Sequence, residues 1–368
     1  NKFNSNNNKF LYLLVFLSKI KFIFFQLISN FLLPYTNYYV NRVDSNNKNK
    51  SNYLWFVYAS KYQYDLISYI FKEKYRINLY DKIEYNEGLF NLVSLQIIGK
   101  SNKNISTFEV INFEELNSKF LKNKLILPKY IYLGSTSPFL FNNLLTYTFF
   151  RVLKNKKILK FIDDGISGNI DNNRNHNLNF CPRKEDILTW DFRNYFKDKV
   201  KLKNKISFDN LLNQIKSESL RESNLLNSKE YKLIISSKYL DYNILKKQIF
   251  KNNNINKDLF LYLPHNKKWK NSDYLLKNCR LINTKNIEAW ILKNSKYISE
   301  IYIGLSATSL IIGELKLLKE INSNINLCIK YRINPNNSRK EVYSFLKSAN
   351  ASGCYSNIFF DGKILKQI

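Results

Sequence analysis

The sequence predicts an α/β protein with two doubly wound halves. Three observations carry this reading: short apolar runs alternate with longer amphipathic ones from residue 53 onward, a polar stretch at 169–179 and a mixed region to about 228 interrupt the alternation, and a second alternating block follows. A strand, a turn, a helix and another strand in that order make the βαβ unit of a parallel sheet. Length agrees, since 368 residues at roughly 150 per domain point to two domains. With 45% hydrophobic and 15% aromatic residues spread over the whole chain, a packed core is affordable, and disordered or collagenous classes are excluded.

The elements follow in chain order. Residues 1–9 (NKFNSNNNK) are low in complexity and are expected to be disordered. Residues 10–34 (FLYLLVFLSKIKFIFFQLISNFLLP) are long enough to cross a bilayer, but Lys19 and Lys21 interrupt the middle. Each costs about 2.5–3.5 kcal/mol at a helix centre. No A-x-A-like cleavage site follows, which argues against a cleaved leader. A helix lying on a membrane, a buried helical hairpin and a tilted span all stay open, and the mixture of aromatic and basic residues favours the interface. Residues 44–52, rich in Asn, Ser and Lys, read as a linker.

In the first block, 53–59 (YLWFVYA) reads as a buried strand, 64–74 as the helix after it, and 77–80 and 92–98 as further strands. The run 129–133 (KYIYL) is a strand that stops at Gly134-Ser135-Thr136, 139–153 is an apolar helix, and 157–162 (KILKFI) is the next strand. In the second block, 232–236, 259–263, 281–282 and 300–304 read as strands, and 242–251, 287–293 and 310–320 as the helices between them. No internal repeat points to a solenoid. The expected organisation is a start and linker over 1–52, a first Rossmann-like domain over 53–229 and a second over 230–368. Two such domains, with ligands held at strand ends facing a cleft between them, form the GT-B architecture.

With 58 Lys plus Arg against 29 Asp plus Glu, the net charge is +29. Such an excess favours acidic partners: nucleic acid, an anionic membrane, or acidic small molecules and glycans. Lys, Asn, Ile and Tyr are enriched together, so chain-wide compositional drift is an alternative source of the charge. The Lys residues are dispersed and no RRM, KH or zinc pattern occurs, so nucleic acid is not the expected partner. Cys181, Cys279, Cys328 and Cys354 form no C-x-x-C pair. They read as buried small apolar residues in a reducing compartment, and structural zinc is not expected.

Polar residues cluster directly after three of the expected strands, where an open α/β sheet places its ligands. The first cluster is FIDDGISGN, in which Asp163 and Asp164 leave an apolar strand and meet Gly165. Adjacent carboxylates repel, which raises the pKa of one and suits it to general-base work. A helix cap is the plain alternative. The second cluster is LFLYLPHNKKWK, where His265 follows Pro264 beside Lys267 and Lys268. It can donate to an anionic leaving group, or it is a surface His in a basic loop. The third is IYIGLSATSLII, in which Gly304, Ser306, Thr308 and Ser309 precede an apolar helix. Hydroxyls and backbone N–H groups at a helix N-terminus hold anions, and an ordinary Ser/Thr cap is the other reading. Glu288, in NTKNIEAW, is a candidate for the ribose or base of a nucleotide, or a solvated helix residue.

Taken together, the acid-acid-Gly, Pro/His and Gly-x-Ser…Thr-Ser strand ends resemble the D/E-D/E-G, HP and S-S/T motifs of bacterial sialyltransferases, especially the capsular α-2,8-polysialyltransferases and lipooligosaccharide sialyltransferases. The resemblance covers roughly residues 53–330. It implies a metal-independent, inverting GT-B enzyme that transfers sialic acid from CMP-sialic acid to a surface glycan and needs no cofactor. By this resemblance Asp163 is the base, with Asp164 supporting it or exchanging roles with it, His265 donates to the departing CMP phosphate, and Thr308 and Ser309, with Ser306, hold it. No D-x-D triplet occurs, in keeping with a donor that carries a single phosphate. Pro264 precedes His265 where the family has His-Pro, and Thr308-Ser309 follows Ser306-Ala307 where the family has a simple pair. CMP-Kdo or another activated acidic sugar is the alternative donor. A non-catalytic basic protein at a membrane surface or on nucleic acid is the alternative class. The expected partners are the CMP-sugar, an acidic glycan acceptor and a peripheral membrane contact, at the cytoplasmic face of a bacterial inner membrane.

Overall fold

A computed structural model describes residues 2–46, 53–58, 60–81, 91–98, 104–111, 118–119, 122, 127–133, 144–155, 158–162, 187–191, 204–223, 226, 230–237, 239–249, 259–264, 277, 279–284, 286–331 and 339–365. The chain is a mixed α/β protein with two parallel-rich sheets, and it divides into two compact units.

The first unit opens with helix α1 (Lys2–Asn46). Strand β1 (Tyr53–Tyr58), helix α2 (Lys61–Tyr75), and strands β2 (Asn91–Ile98), β3 (Asn104–Ile111) and β4 (Tyr130–Leu133) follow. Helix α3 (Leu144–Asn155) and strands β5 (Leu159–Ile162), β6 (Ile187–Asp191) and β7 (Asn204–Ser207) complete it. The sheet order is β3-β2-β1-β4-β5-β6-β7. Strand β1 runs parallel to β4, β4 to β5 and β5 to β6, while β2 is antiparallel to both β1 and β3.

Residues alternate across the central strands with a period of two. Trp55, Val57, Ile131, Leu133, Leu159 and Phe161 join one buried cluster with Tyr147, Phe150 and Leu153 of α3 and Tyr39 and Val40 of α1. On the other face, Phe56 and Tyr132 pack on Phe71 of α2, and Tyr58 packs on Tyr64. Helix α2 starts at the Ser60 cap, whose side chain accepts from the Gln63 N–H, and it stops at Arg76, which takes a left-handed conformation at φ 58°.

Helix α1 is held to α3 by a buried polar clamp. Arg151 is 6% exposed; its Nη1 donates to Ser29 Oγ at 2.7 Å and its Nη2 to Asn30 Oδ1 at 3.0 Å. Thr148 Oγ1 lies 2.9 Å from the same Ser29 hydroxyl. The expected disorder at 1–9 and the linker starting at 44 are therefore corrected: one helix runs Lys2–Asn46. Extending a helix that tertiary packing has already nucleated adds one hydrogen bond per residue fixed, so a polar start is carried along. The helical hairpin is not formed. Among the described residues no helix is long and apolar enough to cross a membrane.

The expected strand at 77–80 is also corrected. Ile77 and Leu79 are buried singly beyond the α2 cap, and a 3-10 turn covers Leu79–Asp81, so two apolar residues spaced by two imitated a strand.

The second unit contains helix α4 (Phe208–Ser219), strand β8 (Tyr231–Ile235), helix α5 (Tyr242–Gln248), strands β9 (Phe260–Leu263) and β10 (Arg280–Leu281), and helix α6 (Ile287–Asn294). Strand β11 (Ile298–Ile303), helix α7 (Ala307–Leu317), strand β12 (Asn324–Ile329), helix α8 (Arg339–Ala351) and strands β13 (Asn357–Phe360) and β14 (Lys363–Ile364) follow. Sheet order is β10-β9-β8-β11-β12-β13-β14, parallel throughout except for the terminal β13–β14 hairpin. That hairpin turns on Asp361 and Gly362, both at positive φ, as a two-residue connection requires.

Helix α4 belongs to this second unit. The reason is local bonding: Thr284 Oγ1 donates to Glu222, Asn294 Nδ2 to the Ser223 carbonyl, and Lys216 pairs with Glu320 at 2.6 Å. Packing thus groups α4 with the second unit and α1 with the first.

Two predictions follow from this packing. Arg151→Ala leaves Ser29 and Asn30 without their charged donor, so urea unfolding should show a loss of about 1.5–3 kcal/mol, with new protease cleavage in α1. In the second unit, burial raises the Glu300 pKa, but the hydrogen bonds from Lys232, at 2.7 Å, and from Tyr302 outweigh it and hold the carboxyl below its usual range. A carboxyl depressed on folding stabilises above its unfolded pKa, and that contribution is lost as pH falls through the folded value. Glu300→Gln should therefore lower stability at neutral pH and flatten its decline on acidification, read from thermal melts across pH.

Candidate functional site

In the second sheet the chain runs outward from β8 to β9 and β10, then returns to the other side of β8 as β11 and continues to β12 and β13. The neighbours β8 and β11 are thus the point where strand order reverses, and a crevice opens beyond the carboxyl ends at such a point. Ile235 and Ile303 are in register at those ends. Ser236 and Ser237 follow on one strand, Gly304 on the other.

Gly304 has no side chain because there is no room for one. A Cβ there would lie 2.5 Å from the Leu240 backbone nitrogen and 2.8 Å from its Cα, with Ser237 Oγ closer still. The loop over 236–241 is pinned across this edge by Asp241 N–H donating to the Cys328 carbonyl at 3.0 Å, and Asp241 itself caps α5 through Asn243. Burial first, and Asp241 second, push the Cys328 thiol above its ordinary range. Burial likewise pushes the Cys354 thiol up to about 12.

From Gly304 the chain enters α7 through a reciprocal cap. Ser306 Oγ accepts from the Ser309 N–H at 3.1 Å, and Ser309 Oγ accepts from the Ser306 N–H at 2.9 Å. Ser309 is fully buried, and its carbonyl accepts from the buried Tyr355 hydroxyl at 2.9 Å. Its hydroxyl is thus committed to the fold. Ser306 and Thr308 are half-buried, and the N–H groups of Ala307 and Thr308 are first-turn donors that an α-helix leaves without intrahelical partners. The positive end of the helix dipole falls at the same turn, an arrangement of the kind that holds anions at helix N-termini.

The remaining expected residues fall as follows. Pro264, half-buried, follows β9 on the same edge, one strand from β8; His265 lies outside the described residues. Glu288 occupies the first turn of α6, which is capped by Asn286. Because α6 crosses back from the carboxyl end of β10 to the start of β11, its N-terminus belongs to the edge that carries Gly304. In the first unit, β5 ends at Ile162, and Asp163, Asp164 and Gly165 lie outside the described residues. The order reversal of that sheet falls between β1 and β4, and beyond β1 stand Ser60 and the Lys61–Asp65 ion pair at 2.8 Å. Among the described residues there is no group of three or more His, Cys, Asp or Glu placed to hold a metal.

Sequence reasoning missed two parts of this edge. The Ser236–Asp241 loop matters only because β8 and β11 are neighbours, which no local pattern reveals. The second part is a hollow of about 650 Å³ beyond β13, lined by Arg339, Lys340, Tyr343, Phe360, Asp361 and Lys363. Arg339 pairs with Asp361 at 2.9 Å and lies 5.6 Å over the Phe360 ring. The Asp361-Gly362 dipeptide between apolar runs was the available signal.

Compared with family models, curated proteins and solved structures, the chain matches none.

Gly304→Ala should destabilise the second unit by about 1–3 kcal/mol through overpacking, measured by chemical denaturation. Adding Ser237→Ala should not restore stability, because the Leu240 backbone remains in the way.

Proposed function

We propose that this chain is an inverting, metal-independent glycosyltransferase of GT-B type that takes sialic acid from CMP-sialic acid and adds it to an acidic surface glycan. The observation that carries the reading is the turn from Gly304 into α7: the half-buried hydroxyls of Ser306 and Thr308 and the first-turn N–H groups sit at the order reversal of a parallel sheet. That is where a sugar nucleotide's phosphate is held in such sheets.

In the proposed reaction an acceptor hydroxyl attacks the anomeric carbon of the sialic acid. The new carbon–oxygen bond forms as the bond to the CMP phosphate oxygen breaks, and the electron pair leaves with CMP. Asp163, assisted by Asp164, takes the acceptor proton. His265 donates to the departing phosphate, and the α7 turn, with Thr308 and Ser306, stabilises its charge. Glu288 serves the nucleoside. Ser309 acts by shaping the turn. CMP carries only one phosphate, so hydrogen-bond donors and the helix dipole can meet its charge. CMP-Kdo is the second donor, since its carboxylate and single phosphate make the same demands.

The test is a donor screen with CMP-sialic acid, CMP-Kdo, and UDP and GDP sugars, read as nucleotide release in the presence of a chelator. Release of CMP is expected, and release from UDP sugars alone would overturn the reading. Asp163→Ala/Asp164→Ala should lower kcat by about 10²–10⁴-fold. Thr308→Val, which leaves the Ser306–Ser309 cap intact, should weaken donor use about tenfold or more without lowering the melting temperature.

A further inference from the structure

Helix α1 has two apolar faces, and only one is covered. Tyr39 and Val40 lie in the core of the first unit with Ser29 and Thr36 buried beside them. At about 100° per residue the opposite side carries Phe16, Ile20, Ile23, Leu27, Phe31 and Tyr38 as one continuous stripe. All of these are exposed, Phe31 to 83%. A helix that is hydrophobic all round is a buried helix, and an exposed apolar band of this length marks a contact surface.

We propose that the outer face of α1 docks on an anionic lipid surface, with the helix lying in the plane of the interface. Charge selects the occupant. From Asn1 to Val43 the sequence contains Lys2, Lys9, Lys19, Lys21 and Arg42 and no Asp or Glu. Each such basic residue contributes about 1 kcal/mol near an anionic leaflet. The stripe is aromatic as well as aliphatic, a composition that favours the interface.

Geometry selects lying over spanning. The stripe continues through Phe31 to Tyr38 along the stretch whose other side is clamped to α3 by Arg151 and packed into the core by Tyr39 and Val40. A helix crossing the bilayer is wetted by lipid all round, whereas one lying in the interface meets lipid with a single face. Docking through α1 is independent of whether the chain transfers sugars.

The experiment is sedimentation of the full chain with phosphatidylcholine vesicles, with and without phosphatidylglycerol, for the wild type and for Phe24→Ser/Leu27→Ser/Phe31→Ser, three exposed positions. The wild type should co-sediment with anionic vesicles far more than with neutral ones and should be released by alkaline carbonate. The triple variant should bind at least about tenfold less with an unchanged circular-dichroism melt. Equal binding of the variant would overturn the proposal, as would retention after carbonate, which signifies a span. Self-association that the variant abolishes, without any vesicle binding, would assign the face to a second copy of the chain instead. Arg42→Glu, off the core face, should weaken binding only to anionic vesicles; no change would remove the electrostatic part.

Discussion

A parallel sheet cannot leave a face in water, because its crossovers and its apolar strands require cover on both sides; much of this chain follows from that constraint. In the first unit, α2 covers one face of β1 and β4 through Phe71 and Tyr64, and α3 with the second half of α1 covers the other. The same constraint drives polar chemistry to the strand ends. Inside the sheets the strands are runs such as YLWFVY and FLYL, with no room for an unpaired hydroxyl or carboxylate. Where a strand leaves the covered zone, polar side chains become tolerable and ligands become reachable.

The turn after β11 illustrates how closely packing and residue choice are tied. Gly304 is there because Leu240 and Ser237 press against it, and that contact exists because β8 and β11 are neighbours. The Ser306–Ser309 cap then holds the first turn of α7 open toward the same edge. Two hydroxyls of the group, on Ser306 and Ser309, take part in that cap, and the hydroxyl of Thr308 lies outside it. The hollow beyond β13 adds Lys340, Lys363, the Arg339–Asp361 pair and aromatic surface to this edge of the unit.

Helix α1 shows the opposite relation, in which a local pattern was visible but its meaning was not. Its 10–34 run reads as hydrophobic from every direction in sequence. Whether such a helix is core, anchor or span depends on what covers each side. The buried clamp of Arg151 on Ser29 and Asn30 settles one side and leaves the other facing outward.

The strands β1, β2, β4, β5, β8, β9, β10 and β11 and the helices α2, α3, α5, α6 and α7 were legible because burial imprints its period on composition. Strands β3, β6 and β7, the strands after β11 and helices α4 and α8 were not placed, and 77–80 was misread, since polar-flanked strands and isolated buried residues carry little periodic signal. The helix cap at Ser306 was readable from residues alone, for capping is satisfied within four residues. Strand order, the reversal between β8 and β11, the need for glycine at 304, the burial of Ser309 and the two-sidedness of α1 were decided only in three dimensions. Each depends on which distant segments become neighbours, and hydrogen bonding and close packing between such segments leave no mark at any single position of the chain.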